Sequence, residues 1–130
     1  MSNFFWDLNK GIDLLIWWEI DNAFDILNEI YQKVKDEKEK NKDFEDNLLA
    51  LLSALGEIHL KKWEYKEGLF FYKEANKIVT DTNFNVLFNI WVWFHNMGDL
   101  KTWDLYISKA KKLEPENEFL IKYLENFNKN

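Results

Sequence analysis

The chain has 130 residues, 47% hydrophobic and 18% aromatic, which is enough for the core of one domain. Its net charge is -6 and every basic side chain is a lysine, which argues against binding nucleic-acid phosphates or an anionic membrane surface. Cysteine is absent, so disulfides, thiolate metal sites and a cysteine nucleophile are excluded, in keeping with a cytoplasmic setting.

Only 1 Pro and 4 Gly leave few places for strands and tight turns, so the chain reads as all-α. At the N-terminus Asp7 precedes the apolar run Ile12–Trp18, Asp13 interrupts it, and no basic segment comes first; a signal peptide is not expected. No apolar run is long enough to span a membrane. Phe5, Leu8 and Ile12 stand at i, i+3 and i+7 and define one apolar helix face. Asp21, Asp25 and Glu29 recur at helical spacing as a solvated face. From Lys33 to Asp43 the charge is mixed and no apolar residue follows Val34; this reads as a helix end and linker, with a recognition tail as the other reading. A helix then opens near Asp43, because Phe44, Leu48, Leu51, Leu52 and Leu55 keep helical spacing. Turns are expected at Lys62-Trp63-Glu64 and at Met97-Gly98-Asp99. Pro115 fits the first turn of a last helix, with Glu116 and Glu118 near its positive end. Phe119, Leu120, Tyr123, Leu124 and Phe127 form its apolar stripe, opposite Lys122 and Glu125.

The segment LGEIHLKKWEYKEGLFFYKEANKI, Leu55 to Ile78, sets out a Leu-Gly pair, a ring at the third place after Gly56, then Gly68, Tyr72 and Ala75. That order resembles the tetratricopeptide repeat, a helix–turn–helix unit of about 34 residues. Counted from Leu49, the signature places hold Leu52, Leu55, Gly56, His59, Gly68, Tyr72 and Ala75, with Thr80 where proline is usual. Counted from Phe84, they hold Leu87, Ile90, Trp91, Phe94, Trp103, Ile107, Ala110 and Pro115. A degenerate copy counted from Phe4 keeps Gly11, Leu14, Ala23, Leu27 and Ile30. The resemblance therefore implies one domain over 1–130, an α-α superhelix of about seven antiparallel helices: repeats over 4–37, 49–82 and 84–117 and a capping helix over about 116–128. The chain departs from the family at Trp91 and Trp103, which occupy places that are normally small. The implied arrangement is a splayed third hairpin, or two indoles stacked offset between its helices.

In this family the first helix of each repeat lines a concave groove. Carried over, that lining is Phe5, Leu8, Asn9, Ile12, Leu15 and Ile16; then Ala50, Ser53, Ala54, Glu57, Leu60 and Lys61; then Asn85, Phe88, Asn89, Val92, His95 and Asn96. The family branch that grips chaperone C-termini uses lysine, arginine and asparagine at places held here by Leu8, Ile12, Ala54, Asn85 and Asn89. Without a cation there, a buried carboxylate has no counter-charge. A short apolar-lined chain is more similar to chaperones of bacterial secretion substrates. The resemblance thus implies an interaction module that binds a peptide or helix of a partner protein, with an adaptor- or chaperone-like role. The alternative is a structural homo-oligomer, a homodimer for instance, that buries the apolar N-terminal face of Phe5, Leu8 and Ile12 against its own copy. An enzyme is not expected: His59 and His95 lie far apart outside any metal-ligand spacing, and no phosphate loop or nucleophile elbow is present. No cofactor or metal is implied. His59 reads as a hydrogen-bonded core histidine and His95 as a groove contact.

Overall fold

The computed structural model describes residues 4–128, which leaves the ends of the 1–130 span and the Phe127 side chain of the expected stripe outside the described residues. Among the described residues there are seven helices and no strand: α1 Leu8–Ile16, α2 Ile20–Val34, α3 Lys42–Lys61, α4 Tyr65–Val79, α5 Phe84–Asn96, α6 Leu100–Leu113 and α7 Glu118–Asn128. The fold is all-α, and the chain divides into two compact units, Met1–Ile78 with α1–α4 and Val79–Asn130 with α5–α7.

Short polar side chains start four of the helices. Asn41 accepts from the Phe44 N–H at 2.8 Å, Asn83 from Val86 at 3.1 Å, Asp99 from Thr102 at 3.1 Å and Asn117 from Leu120 at 2.9 Å. Each satisfies a first-turn donor that lacks an intrahelical partner. The last of these corrects the reading of Pro115. The amide of Asn117 is the cap, so α7 opens at Glu118, and Pro115 lies in the preceding turn.

Three turns close helical hairpins with one geometry. The N–H of Glu19 donates to Leu14 O at 2.9 Å, that of Glu64 to His59 O at 2.8 Å, and that of Asp99 to Phe94 O at 2.9 Å. The acceptors Leu14, His59 and Phe94 hold the same place in the three repeat frames. In each turn the residue before the donor has a left-handed backbone: Trp18 at φ 62, Trp63 at φ 61 and Gly98 at φ 80. Glycine suits this helix-ending position; an L side chain there costs roughly 1–2 kcal/mol. The expected turns at Lys62–Glu64 and Met97–Asp99 stand where the repeat frames placed them.

In the first unit the core gathers the inward faces of its helices, among them Leu27, Val34, Leu51, Leu55, Ile58 and Ala75. A Cβ added to Gly68 would lie 3.3 Å from the Gly56 carbonyl oxygen and 2.5 Å from Leu60 Cδ2, so α3 and α4 approach at backbone distance there. A Cβ on Gly56 would meet the Tyr72 ring at 2.8 Å. Tyr72 roofs this crossing, and its burial, with a smaller contribution from Glu57, pushes the phenol up and keeps it neutral.

In the second unit Trp91 and Trp103 stand at the equivalent places. Trp91 is fully buried and meets Phe84, Phe88 and Tyr123 edge-on, with ring centroids 5.5, 5.0 and 5.9 Å away. Trp103 donates its Nε1–H to Tyr123 Oη at 3.2 Å and lies tilted against His95. Trp91 is thus held by edge-on aromatic neighbours from α5 and α7, a packing that suits the ring quadrupole. The Trp91 Nε1–H is buried with no acceptor among the described residues.

Candidate protein-binding surface

The residues that the resemblance implies for binding stand at α1 and α3 of the first unit and at α5 of the second. On α1 the buried stripe is Leu8, Gly11 and Leu15, at i, i+3 and i+7, because the helix packs on both α2 and α3. Leu8 is 4% and Leu15 6% exposed, so the face named from Phe5, Leu8 and Ile12 is divided. Phe5 precedes the helix and rests edge-on against Phe44 of α3, 5.2 Å between centroids. Leu8 turns inward, Ile12 is half-buried, and Asn9 and Ile16 are exposed.

On α3, Ala54 and Leu60 are buried and belong to the core. Ala50 and Ser53 are half-buried, and Glu57 is exposed. One turn further on, Lys61 Nζ sits 3.5 Å from Glu57 Oε1 and 3.9 Å from the centroid of the Trp18 ring. The α3 face is therefore small at its N-terminal half and charged at its C-terminal end. His59 lies beside this face, not on it. Its ring stacks on Phe71 at 5.5 Å, takes the edge of Phe24, and places Nδ1 3.0 Å from Glu64 Oε1.

On α5, Asn85, Asn89, Val92 and Asn96 fall at i, i+4, i+7 and i+11, a single stripe. Asn85 and Asn96 are exposed; Asn89 and Val92 are half-buried. Asn89 donates its amide to Asn85 O at 2.8 Å. Phe88 and His95 flank the stripe and are partly occupied by α7, through Phe119 at 4.8 Å and Tyr123 at 6.3 Å. Of the residues named from the sequence, Asn9, Ile12, Ser53, Glu57, Asn85, Asn89, Val92 and Asn96 thus remain open on their own units. Leu8, Leu15, Ala54 and Leu60 support the helices from beneath.

No protein-family model matches the sequence, and no curated protein matches it. Among solved structures the chain is similar to the C-terminal TPR-containing domain of a Plasmodium falciparum protein that carries the name of an FK506-binding protein. The likeness has a TM-score of 0.72 at 18% identity and covers 94% of this chain and 88% of that domain. The fold is a tetratricopeptide-type helical repeat. Folds of this type serve as scaffolds for contacts between proteins. No helix among the described residues is long and apolar enough to cross a membrane.

The groove residues leave out three strongly exposed indoles of this repeat protein. Trp17 is 78%, Trp18 68% and Trp63 70% exposed, all at the hairpin turns of the first unit. The available signal was positional: a bulky ring at Trp18 and Trp63 stands where Gly98 ends the third hairpin's first helix.

Proposed function

We propose that the chain is a protein-interaction module that takes a peptide or helical segment of a partner protein on the first helices of its repeats, in an adaptor- or chaperone-like role. The repeats over 4–37, 49–82 and 84–117 and the final helix act as one domain in this reading. The observation that carries it is the α5 stripe. Amide side chains at Asn85, Asn89 and Asn96, with Val92 between them, offer donors and acceptors along one open helix face beside apolar contact. Such a face suits the backbone groups of an extended segment or the polar edge of a helix. Neither a cofactor nor catalysis is required, and the acidic balance favours a protein over a nucleic acid or an anionic membrane as partner. A cytoplasmic monomer is the simplest form of this module.

The test is a display selection of random peptides against the whole chain, followed by titration of the selected peptide. The double variant Asn85→Ala with Asn89→Ala should weaken binding by roughly tenfold or more, the size of an interface hot spot. Its melting temperature should stay that of the parent, since both amides lie on an open face. Equal loss of stability and binding would assign the amides to the core, and unchanged binding would move the site elsewhere. The second reading, self-association through the N-terminal apolar face, has less support. Leu8 is already buried by its own chain, so no second copy is needed to cover it. Light scattering on the whole chain separates the two: a dimer whose population rises with protein concentration would favour self-association.

A further inference from the structure

The hairpin turns of the first unit carry a feature that neither core packing nor the α5 stripe uses. Trp18 and Trp63 hold left-handed backbone, the conformation that disfavours any side chain and that Gly98 relaxes in the third turn. Both rings are largely in water, and Trp17 beside them is the more exposed still. Strained bulky residues that contribute little burial point to a use outside the fold.

The two turns lie side by side. Lys61 Nζ reaches across to the Trp18 ring at 3.9 Å, and Lys62 Nζ pairs with Asp21 Oδ1 at 3.0 Å. The first of these contacts shows what the surface accepts: an ammonium over an indole face with a carboxylate, Glu57, 3.5 Å away. Lys61 and Lys62, the cations that the α3–α4 turn supplies here, are engaged by Glu57 and Asp21, and the charge beside Trp17 in the chain is acidic. Asp13 lies one helical turn before Trp17, Glu19 directly follows Trp18, and the whole stretch from Gly11 to Gln32 contains no lysine. An aromatic surface inside an acidic segment repels phosphate and anionic lipid and attracts guanidinium and ammonium groups.

We propose that the paired turns of α1–α2 and α3–α4 form a second docking surface, distinct from the groove, for a lysine- and arginine-rich segment of another protein. Its cations lie over the Trp17 indole, with Asp13 and Glu19 close by in the chain, in the manner in which Lys61 lies over Trp18. Arginine suits the site better than lysine, since its flat guanidinium stacks on the ring and still bonds a carboxylate.

The probe is a short peptide of alternating arginine and glycine, titrated into the whole 15N-labelled chain at near-physiological salt. The indole N–H signals of Trp17, Trp18 and Trp63 should move together and saturate. Trp17→Ala, and separately Trp18→Gly with Trp63→Gly, should weaken binding by roughly tenfold or more. The glycine variant should melt at the parent temperature or above it, because the strain is released. Asn85→Ala with Asn89→Ala should leave this titration unchanged, so failure of the groove reading and failure of this one are separate results. Three outcomes overturn the proposal. Shifts that follow every carboxylate with the indoles silent are general ion pairing. Indoles moved by phosphatidylcholine vesicles and not by the peptide mark a membrane surface. Indole signals that move on concentrating the protein alone mark a second copy.

Discussion

The hairpins α3–α4 and α5–α6 end their first helices with the same backbone hydrogen bond and fill their crossings in opposite ways. Where the first has Gly56 and Gly68, the second has Trp91 and Trp103. In the glycine hairpin a carbonyl lies within 3.3 Å of where a Cβ would stand, and Tyr72 closes the crossing from above. In the tryptophan hairpin the volume comes from the indoles, and Phe84, Phe88 and Tyr123 meet one of them edge-on. The pair shows that the turn fixes the hairpin, while the volume between its helices is free to be supplied by backbone contact or by rings. Interaxial spacing follows the side chains at the contact.

Three substitutions would sharpen or break that contrast. The largest effect is expected from Trp91→Ala, which removes the ring that the second unit is built around. It should cost about 3–5 kcal/mol, read from urea denaturation followed by circular dichroism. A loss below about 1 kcal/mol would mean that the crossing closes by itself, as the glycine hairpin does. Next is Gly56→Leu, which drives a side chain into the Tyr72 ring at a crossing with no spare volume. A loss of about 1–3 kcal/mol is expected. A variant with the parent's midpoint would show that α3 and α4 are not tightly apposed there. The smallest effect should follow Tyr123→Phe. It keeps the edge-on ring but takes the acceptor from the Trp103 N–H, and it should cost about 0.5–1.5 kcal/mol. A double-mutant cycle with Trp103→Phe should recover that coupling; a zero coupling would leave the rings alone to hold the pair.

The turns at Lys62 and Met97 were legible from the repeat frames, and the start of α3 from the helical spacing that opens at Phe44. Gly56, Gly68, Trp91 and Trp103 were legible as crossing residues from their places in the repeat. The neighbours that settle each crossing were not: Tyr72 stands in the repeat signature without a sign of its place over Gly56, and Tyr123 comes from α7. Leu8 misled for a related reason. Its cover comes from α2 and α3, which lie later in the chain and on which α1 packs with Leu8 turned inward. Pro115 matched the preference for a first helical position, yet Asn117 supplied a side-chain cap two residues later, and the capping bond decides where the helix begins. The left-handed backbone of Trp18 and Trp63 left no signal in residue preference, because tryptophan is not a residue that favours it. On the binding face, helical spacing marked the stripe from Asn85 to Asn96. It could not separate Ser53, half-buried, from Ala54, which is buried one residue on.

The placing of the indoles also makes the molecule an uneven optical reporter of its own unfolding. Trp6, Trp17, Trp18 and Trp63 of the first unit are already mostly in water, whereas Trp91 and Trp103 of the second are shielded. Intrinsic fluorescence therefore changes colour when the second unit opens and stays almost unchanged when the first does. A melt followed by emission wavelength alone would record the end of the chain and miss the beginning.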